Sequence, residues 1–407
     1  MSFSLGMVGA GQFAAHFAWL FHLHPGISSV TATDLLPERA ERMVSELGLA
    51  GTHESFERML ADPSVDAVAI FTQRWTHGPL ALQALNAGKH VYSAVPMAVA
   101  REEIAAIIDA VRATGLTYMM GETSYYNPAT VYARQRLADF GRVFYLEGDY
   151  LHDMDLGFYD AYRYSGGDDW RATASYPPMW YPTHSIGGVL GAVPQHAVSV
   201  SCIGTKDEVD DGVFDRGVSM FGNDFSNMTA LFELSGGGSM RINEFRRVGY
   251  YSPLRESRFR FFGTEGSFEQ LATTSIWQDK SGATDISELI ATRASFSLDD
   301  PRLADIAPSL RPAFISGHAP IHDAETSRLP DEFALAPNGH EGSHQLLADD
   351  FVRAVTDRAL ATVNAWVAAR YTLPGLVAME SALRDGERMP VDDFGGAPAS
   401  LAGLGAR

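Results

Sequence analysis

Over roughly the first 120 residues, short apolar runs alternate with stretches in which apolar side chains recur every three to four positions. This is the rhythm of strands and helices in a parallel sheet covered on both faces. Residues 5–8, 29–33, 65–71, 90–92 and 116–120 read as strands, and 12–23, 37–47, 80–86 and 102–113 as helices. In 37–47, Ala40, Met43, Val44 and Leu47 fall at core spacing, and Gly88 stops the helix over 80–86. The run 65–71 is almost continuously apolar, as expected of a strand buried on both sides.

After Glu122 the rhythm changes. Residues 128–139 predict one helix, and 144–150, 218–221, 228–234, 239–244 and 258–262 predict strands that alternate or run apolar. The stretch 282–341, rich in Pro, Ser and Asp with weak periodicity, predicts long loops that cover a site. Residues 344–355 form an amphipathic pattern with Leu346, Leu347, Phe351, Val352 and Val355 inward, and 366–382 predict a helix interrupted near Pro374. No internal repeat is present. The expected architecture is an α/β Rossmann N-terminal domain over 1–122 and an α+β C-terminal domain over 123–407. The second carries a large open, mostly antiparallel sheet and serves substrate binding and oligomerisation.

At 407 residues the chain exceeds the size at which one core stops growing, which agrees with two domains. A net charge of -19, with no local Lys/Arg cluster against it, would repel a phosphate backbone, so nucleic acid is excluded as a partner. Met1-Ser2-Phe3-Ser4-Leu5 lacks the basic flank and apolar run of a signal peptide, and no later run is long enough to span a bilayer. A cytoplasmic location without membrane partners is expected. The single cysteine, Cys202, excludes an intrachain disulfide and a cysteine-rich metal site, and reads as a small buried hydrophobe.

Gly9-Ala10-Gly11-Gln12-Phe13-Ala14 follows the first strand and opens the first helix, the context that a dinucleotide fingerprint requires. Gly9 permits the tight turn, Gly11 lets the backbone approach a pyrophosphate, and Ala14 keeps helix and strand close. The helix N-terminus then offers free N–H groups to the phosphates. Asp34, at the end of the second strand, is placed to accept hydrogen bonds from ribose hydroxyls and to repel a 2′-phosphate. Leu35 follows where an NADP enzyme often carries Arg or Ser, so NAD is the expected cofactor.

Further segments carry a resemblance. Phe71-Thr72-Gln73 with Trp75-Thr76-His77, Ala87-Gly88-Lys89-His90-Val91, and Phe262-Gly263-Thr264-Glu265-Gly266 together resemble the Gfo/Idh/MocA oxidoreductases over nearly the whole chain. The resemblance implies cofactor contacts at Gly9, Gly11, Gln12, Phe13, Asp34, Thr72, His77, Pro96 and Glu122, and a homo-oligomer, a dimer or tetramer. Dehydrogenases of the family present Glu-Lys-Pro after the Gly-Lys-His-Val strand, the lysine assisting proton transfer; here Ala94-Val95-Pro96 stands there. The NAD-dependent glycosidases of glycoside hydrolase family 109 also carry Val-Pro at this loop, although with Glu at the position of Ala94. The chain resembles that branch again at Gly121-Glu122 with Tyr125-Tyr126, at Tyr150-Leu151-His152-Asp153, and at Tyr181-Pro182-Thr183-His184. Residues 338–342, Asn-Gly-His-Glu-Gly, resemble its Gly-His-Gly-Gly segment, with Glu341 in place of the second glycine. Many members of the branch carry an export signal, which this start lacks. The resemblance thus implies a sugar site of Glu122, Tyr150, His152, Tyr181, His184 and His340.

The residues themselves support acid–base chemistry. Tyr150 and His152, two apart at a strand end, project from one face, and Tyr181 and His184 lie on a Pro-containing loop among aromatics. An imidazole near neutrality takes and returns protons, and a phenol beside it relays them. Glu122, His152 and His184 also have the composition of a two-histidine, one-carboxylate metal site, but a nicotinamide cofactor accounts for the same pocket and no metal is expected. The branch resemblance implies a redox-neutral glycoside hydrolysis. NAD oxidises C3 while His184 or Tyr181 accepts the hydroxyl proton, Tyr150 or His152 removes the C2 proton, the C1 group leaves, water adds, and C3 is reduced again. The alternatives are an NAD-dependent sugar or polyol dehydrogenase with His184 as base, and a non-catalytic sensor of dinucleotide and sugar. Absence of the lysine favours the sensor; the Tyr and His set argues against it.

Overall fold

The computed structural model describes residues 2–249, 254–292, 299, 317–336 and 339–402. The chain divides into two compact units. The first comprises Met1–Pro128, Ala291–Ala369 and Phe394–Arg407, and the second Ala129–Ile290 and Arg370–Asp393. The pattern along the chain assigns everything after residue 122 to one domain, whereas residues 291–369 join the first unit.

The first unit is built on a parallel sheet of six strands among the described residues: β1 Phe3–Val8, β2 Ile27–Thr33, β3 Gly51–Thr52, β4 Ala67–Ile70, β5 His90–Ser93 and β6 Tyr118–Met120. They lie in the order β3-β2-β1-β4-β5-β6. All of β4 is buried, as its apolar run requires. The helices α1 Gln12–Leu23, α2 Pro37–Leu47, α3 Phe56–Ala61, α4 His77–Asn86 and α5 Arg101–Thr114 connect the strands. The helix Ser343–Thr356 packs on this unit, with the Phe351 ring 5.6 Å from Tyr92 and 6.1 Å from both Phe3 and Phe21. Because β1 is flanked by β2 on one side and β4 on the other, the strand order reverses at its carboxyl end, where a crevice opens for ligands.

The second unit carries a nine-stranded sheet among the described residues. Its strands are β7 Val143–Leu151, β8 Ala197–Lys206, β9 Phe225–Leu234, β10 Ser239–Phe245, β11 Ser257–Gly263, β12 Gly266–Gln270, β13 Ser275–Asp279, β14 Gly282–Asp285 and β15 Met389–Pro390. The order is β14-β13-β12-β11-β7-β10-β9-β8-β15, antiparallel except for the parallel pair β7 and β10. One face is covered by the helix Thr183–Leu190, which approaches β7 and β11 at two glycines. A β-carbon on Gly148 would lie 2.4 Å from the Ser185 carbonyl oxygen, and one on Gly188 2.1 Å from the Phe259 ring. Cys202 in β8 is buried, and burial pushes its thiol up to about 12.

Three expected elements differ. Residues 218–221 are a turn, because the Asp215 carbonyl accepts from the amides of Val218 and Ser219 and closes the chain on itself. The helix Ala365–Ala382 runs unbroken through Pro374. Residues 128–139 split into the helix Pro128–Gln135 and a 3-10 turn at Leu137–Phe140. Of the stretch 282–341, the described parts hold β14 and short helices such as Ser287–Ile290 and Asp331–Ala334, while 293–298, 300–316 and 337–338, which includes Asn338, lie outside the described residues. Among the described residues no helix is long and apolar enough to cross a membrane.

Candidate functional site

In the first unit the glycine turn sits at the carboxyl end of β1. Gly9 has φ +92°, and a β-carbon there would lie 2.5 Å from the Phe71 carbonyl oxygen, so both conformation and space require glycine. At Gly11 the same added carbon meets nothing within 4 Å, which leaves that side of the turn open to a ligand. Gly11 is also the N-cap of α1 and brings no side-chain cap, so the first-turn amides, including those of Gln12 and Phe13, remain available to an anion. Ala14 is buried and holds α1 against the sheet.

Asp34 follows β2. Its Oδ2 accepts from the Ala10 amide at 2.8 Å and its Oδ1 from the Leu36 amide at 2.9 Å. An ionised carboxylate has about four acceptor positions, so two stay free for ribose hydroxyls. Leu35 beside it is fully exposed. The open glycine, the uncapped helix start and the oriented carboxylate fit an NAD molecule.

The neighbouring loops are tied together from within. The His77 ring is buried, with Nδ1 2.8 Å from the Pro96 carbonyl oxygen and Nε2 3.1 Å from that of Thr72. It joins the loop after β4 to the loop after β5. The Thr72 and Thr76 hydroxyls bond at 2.7 Å. Glu122, buried just beyond β6, accepts from the Ser124 amide through Oε1 at 2.8 Å.

Phe13 is 38% exposed, with its ring in edge contact with His340 at 5.8 Å and His344 at 5.3 Å. His340, Glu341 and Gly342 all lie at positive φ, 46°, 56° and 88°. Two non-glycine residues there cost roughly 1–2 kcal/mol each. The Glu341 carboxylate accepts from Asn127 Nδ2 at 2.8 Å, and the Ser343 hydroxyl donates to the His340 carbonyl at 2.7 Å, which hold the loop. His344, missed by the sequence pattern, stacks on His340 at 4.5 Å and lies fully buried, with neither ring nitrogen hydrogen-bonded. Burial, then the neighbouring histidines, hold His344 far below the usual imidazole range and His16 down to about 4.

In the second unit Tyr150, His152, Tyr181 and His184 come together. The period-two expectation holds, since the Tyr150 hydroxyl is 3.3 Å from His152 Nδ1. Tyr181 enters from the loop ahead of the helix Thr183–Leu190, and its hydroxyl is 3.2 Å from His184 Nε2. The Tyr150 ring lies 4.9 Å from His184 and 6.2 Å from Tyr181.

Three further residues complete the cluster. Glu256 Oε2 lies 2.6 Å from His152 Nδ1. Glu244 pairs in register with Tyr150, is fully buried, and bonds Arg246 at 2.8 Å and the Ser185 hydroxyl. Burial raises its carboxyl to about 7 against the opposing pull of Arg246. The Arg246 guanidinium sits 5.0 Å over the Tyr150 ring. Burial, then neighbouring Tyr181 and Glu256, push the Tyr150 phenol far above its usual range, so it stays protonated and donates. Of these three further residues, only Glu244 lies within a strand, at a buried position of β10, while Arg246 follows β10 and Glu256 precedes β11. Glu122 and His340 belong to the first unit. Among the described residues no group of three or more His, Cys, Asp or Glu is arranged to hold a metal ion.

The glycine turn at a switch point, followed by an oriented carboxylate, defines an NAD-binding Rossmann unit. Residues 3–122 match the family described as "Oxidoreductase family, NAD-binding Rossmann fold", Gfo/Idh/MocA. A glycosyl hydrolase family 109 protein 2 of Shewanella sp. (strain ANA-3) is 31% identical over 199 residues, 46% of this chain and 43% of the relative. A scyllo-inositol 2-dehydrogenase (NAD(+)) of Bacillus subtilis (strain 168) is 31% identical over 145 residues, 35% of this chain and 42% of the relative. The chain thus matches less than half the length of these curated relatives. An oxidoreductase from Agrobacterium radiobacter, solved with NAD+, L-tartaric acid and magnesium, shares the fold with a TM-score of 0.72 at 12% identity, over 96% of this chain and 98% of that one. The family match thus covers residues 3–122 of the 407-residue chain.

Proposed function

We propose that the protein cleaves a glycoside by a redox-neutral route, with NAD held by Gly9, Gly11, Gln12, Phe13 and Asp34 and flanked by Thr72, Pro96 and Glu122. When bound, NAD supplies a reversible hydride acceptor, through which a sugar C3 hydroxyl passes to the ketone and the C2–H bond becomes acidic. The Tyr181–His184 pair takes and returns the C3 hydroxyl proton. Tyr150, kept protonated, donates a hydrogen bond, and His152 handles the proton at C2. Glu122 and His340 contact the sugar, and residues 123–407 serve substrate binding and assembly.

The observation that carries this reading is the presence of two separate proton-handling pairs, His152 with Glu256 and His184 with Tyr181, around one phenol. Net oxidation of an alcohol needs one such pair; elimination and addition across C1 and C2 need a second. The similarity to a family 109 glycosyl hydrolase supports the same reading. The similarity to an inositol dehydrogenase favours a second one, net oxidation of a sugar or polyol with His184 as base. A panel of nitrophenyl glycosides and free sugars, followed at the nitrophenol band and at 340 nm in one cuvette, separates them. Nitrophenol release without net NADH is expected, and stoichiometric NADH without release overturns the hydrolytic reading.

Association into a homo-oligomer, a dimer or tetramer, and a cytoplasmic setting are part of the proposal. Exposed Leu231 and Ile203 on neighbouring strands β9 and β8 support the first, since an apolar sheet face in water favours self-association. The cytoplasm, where NAD is held, suits the second, and light scattering of the purified protein tests the assembly.

A further inference from the structure

We propose that Glu256 is a positioning residue that fixes the tautomer of His152 and so leaves Nε2 as the atom that takes the proton from sugar C2. The inference rests on the elimination chemistry proposed above. Glu256 immediately precedes β11, and its carbonyl oxygen accepts from the Leu151 amide at 3.0 Å, which seats it beside the end of β7. From there Oε2 reaches His152 Nδ1 at 2.6 Å. An ionised carboxylate only accepts, so Nδ1 carries the hydrogen and the lone pair is on Nε2.

The ring cannot easily turn away from this arrangement. Phe158 packs on it with centroids 3.9 Å apart, and Arg246 lies over both Phe158, at 5.7 Å, and Tyr150. The Tyr150 oxygen is 3.3 Å from the same Nδ1, whose hydrogen already points to Glu256, so the phenol's own hydrogen is free for a ligand. Tyr150 is half-buried and held protonated, which leaves the imidazole as the base. The step balances as follows: the C2 proton moves to Nε2, the C2–H electron pair forms the C1=C2 bond, and the C1–O bond breaks with its pair on the aglycone. The Glu256 carboxylate then neighbours the imidazolium. The logic is that of a carboxylate holding a catalytic histidine, here a partly exposed one.

The test uses the full chain and Glu256→Gln, with Glu256→Asp as the conservative control. In D2O, hydrolysis by the unaltered protein is expected to deposit deuterium at C2. In Glu256→Gln, C2 deuteration and turnover are expected to fall about 100-fold or more, the lower end of general acid–base contributions, while KM and the single-turnover rise at 340 nm stay within about threefold. Glu256→Asp recovers part of the loss. Nitrogen-15 shifts are expected to show His152 protonated at Nδ1, and at Nε2 in Glu256→Gln. C2 deuteration at the original rate in Glu256→Gln, or an Nε2–H tautomer in the unaltered protein, overturns the role of Glu256 alone. Absence of C2 deuterium with the unaltered protein overturns the elimination reading, and this proposal with it.

Discussion

The α-carbon of Gly148 faces the carbonyl oxygen of Ser185 so closely that an added methyl would lie 2.4 Å from it. Ser185 neighbours His184, and Gly148 is two residues before Tyr150, so this contact sets the distance between the two halves of the proton-handling cluster. Gly148→Ala is expected to lift the helix Thr183–Leu190 from β7 and to cost about 1–3 kcal/mol, the usual range for overpacking. Urea denaturation measures the loss. Turnover should fall further than stability does, and an unchanged turnover would show that the helix has room to yield.

Asp34→Ala removes the acceptor held by the Ala10 amide. NAD affinity is expected to fall about tenfold, about 1.4 kcal/mol, and the preference for NAD over NADP to shrink. Titration calorimetry with both dinucleotides tests this. An affinity within a factor of two of the original would place the ribose elsewhere.

His184→Ala should abolish turnover and leave NAD affinity intact, because the residue belongs to the second unit while the glycine turn belongs to the first. Tyr181→Phe, which deletes the hydroxyl 3.2 Å from His184 Nε2, should reduce turnover less severely. Parallel kinetic and binding measurements decide; unchanged turnover in His184→Ala would remove it from the site.

His344 and His16 are held below the unfolded imidazole value of 6.5, His16 to about 4. The unfolded chain therefore binds more protons than the folded one below pH 6.5. Stability is fully present above that pH and is lost as pH falls toward 4. His344→Phe keeps the stacking with Phe17 and deletes two buried nitrogens that bond nothing. Its stability at pH 5 should exceed that of the original by about 1–3 kcal/mol, and a curve parallel to the original would refute the assignment.

Glu244 acts with the opposite sign. Its carboxyl is raised to about 7 from 4.5, so the folded chain keeps a proton that the unfolded chain has lost between those values. Its contribution declines as pH rises from about 4.5 to 7 and is flat beyond. Glu244→Gln should remove that decline, read as the difference in unfolding free energy between pH 5 and pH 8.

The first unit was the more legible because its elements carry strong periods. The helices Gln12–Leu23 and Pro37–Leu47 match the pattern at both ends. The two-residue β3 and the six-residue α3 are too short for a period to register. Residues 218–221 have a strand's composition, but the Asp215 carbonyl closes them as a turn, which composition does not record. Pro374 was expected to break a helix. Instead Gly375 packs closely against the backbone of Met179, where an added carbon would lie 2.1 Å from its oxygen, and the helix stays continuous there. Within the candidate site, the pairing of Tyr150 with His152 follows from period two. Glu256 does not, because it is 104 positions from His152 in sequence and only the β7–β11 register brings them together.

The Rossmann sheet begins at residue 3, yet Phe351, the aromatic that contacts Phe3, Phe21 and Tyr92, arrives some 350 residues later. During synthesis the nascent sheet therefore leaves the ribosome with one apolar face uncovered until the intervening unit has been made. A cell producing this chain has to keep that face from other hydrophobic surfaces for most of the translation time, and fragments ending before residue 343 should be prone to aggregate.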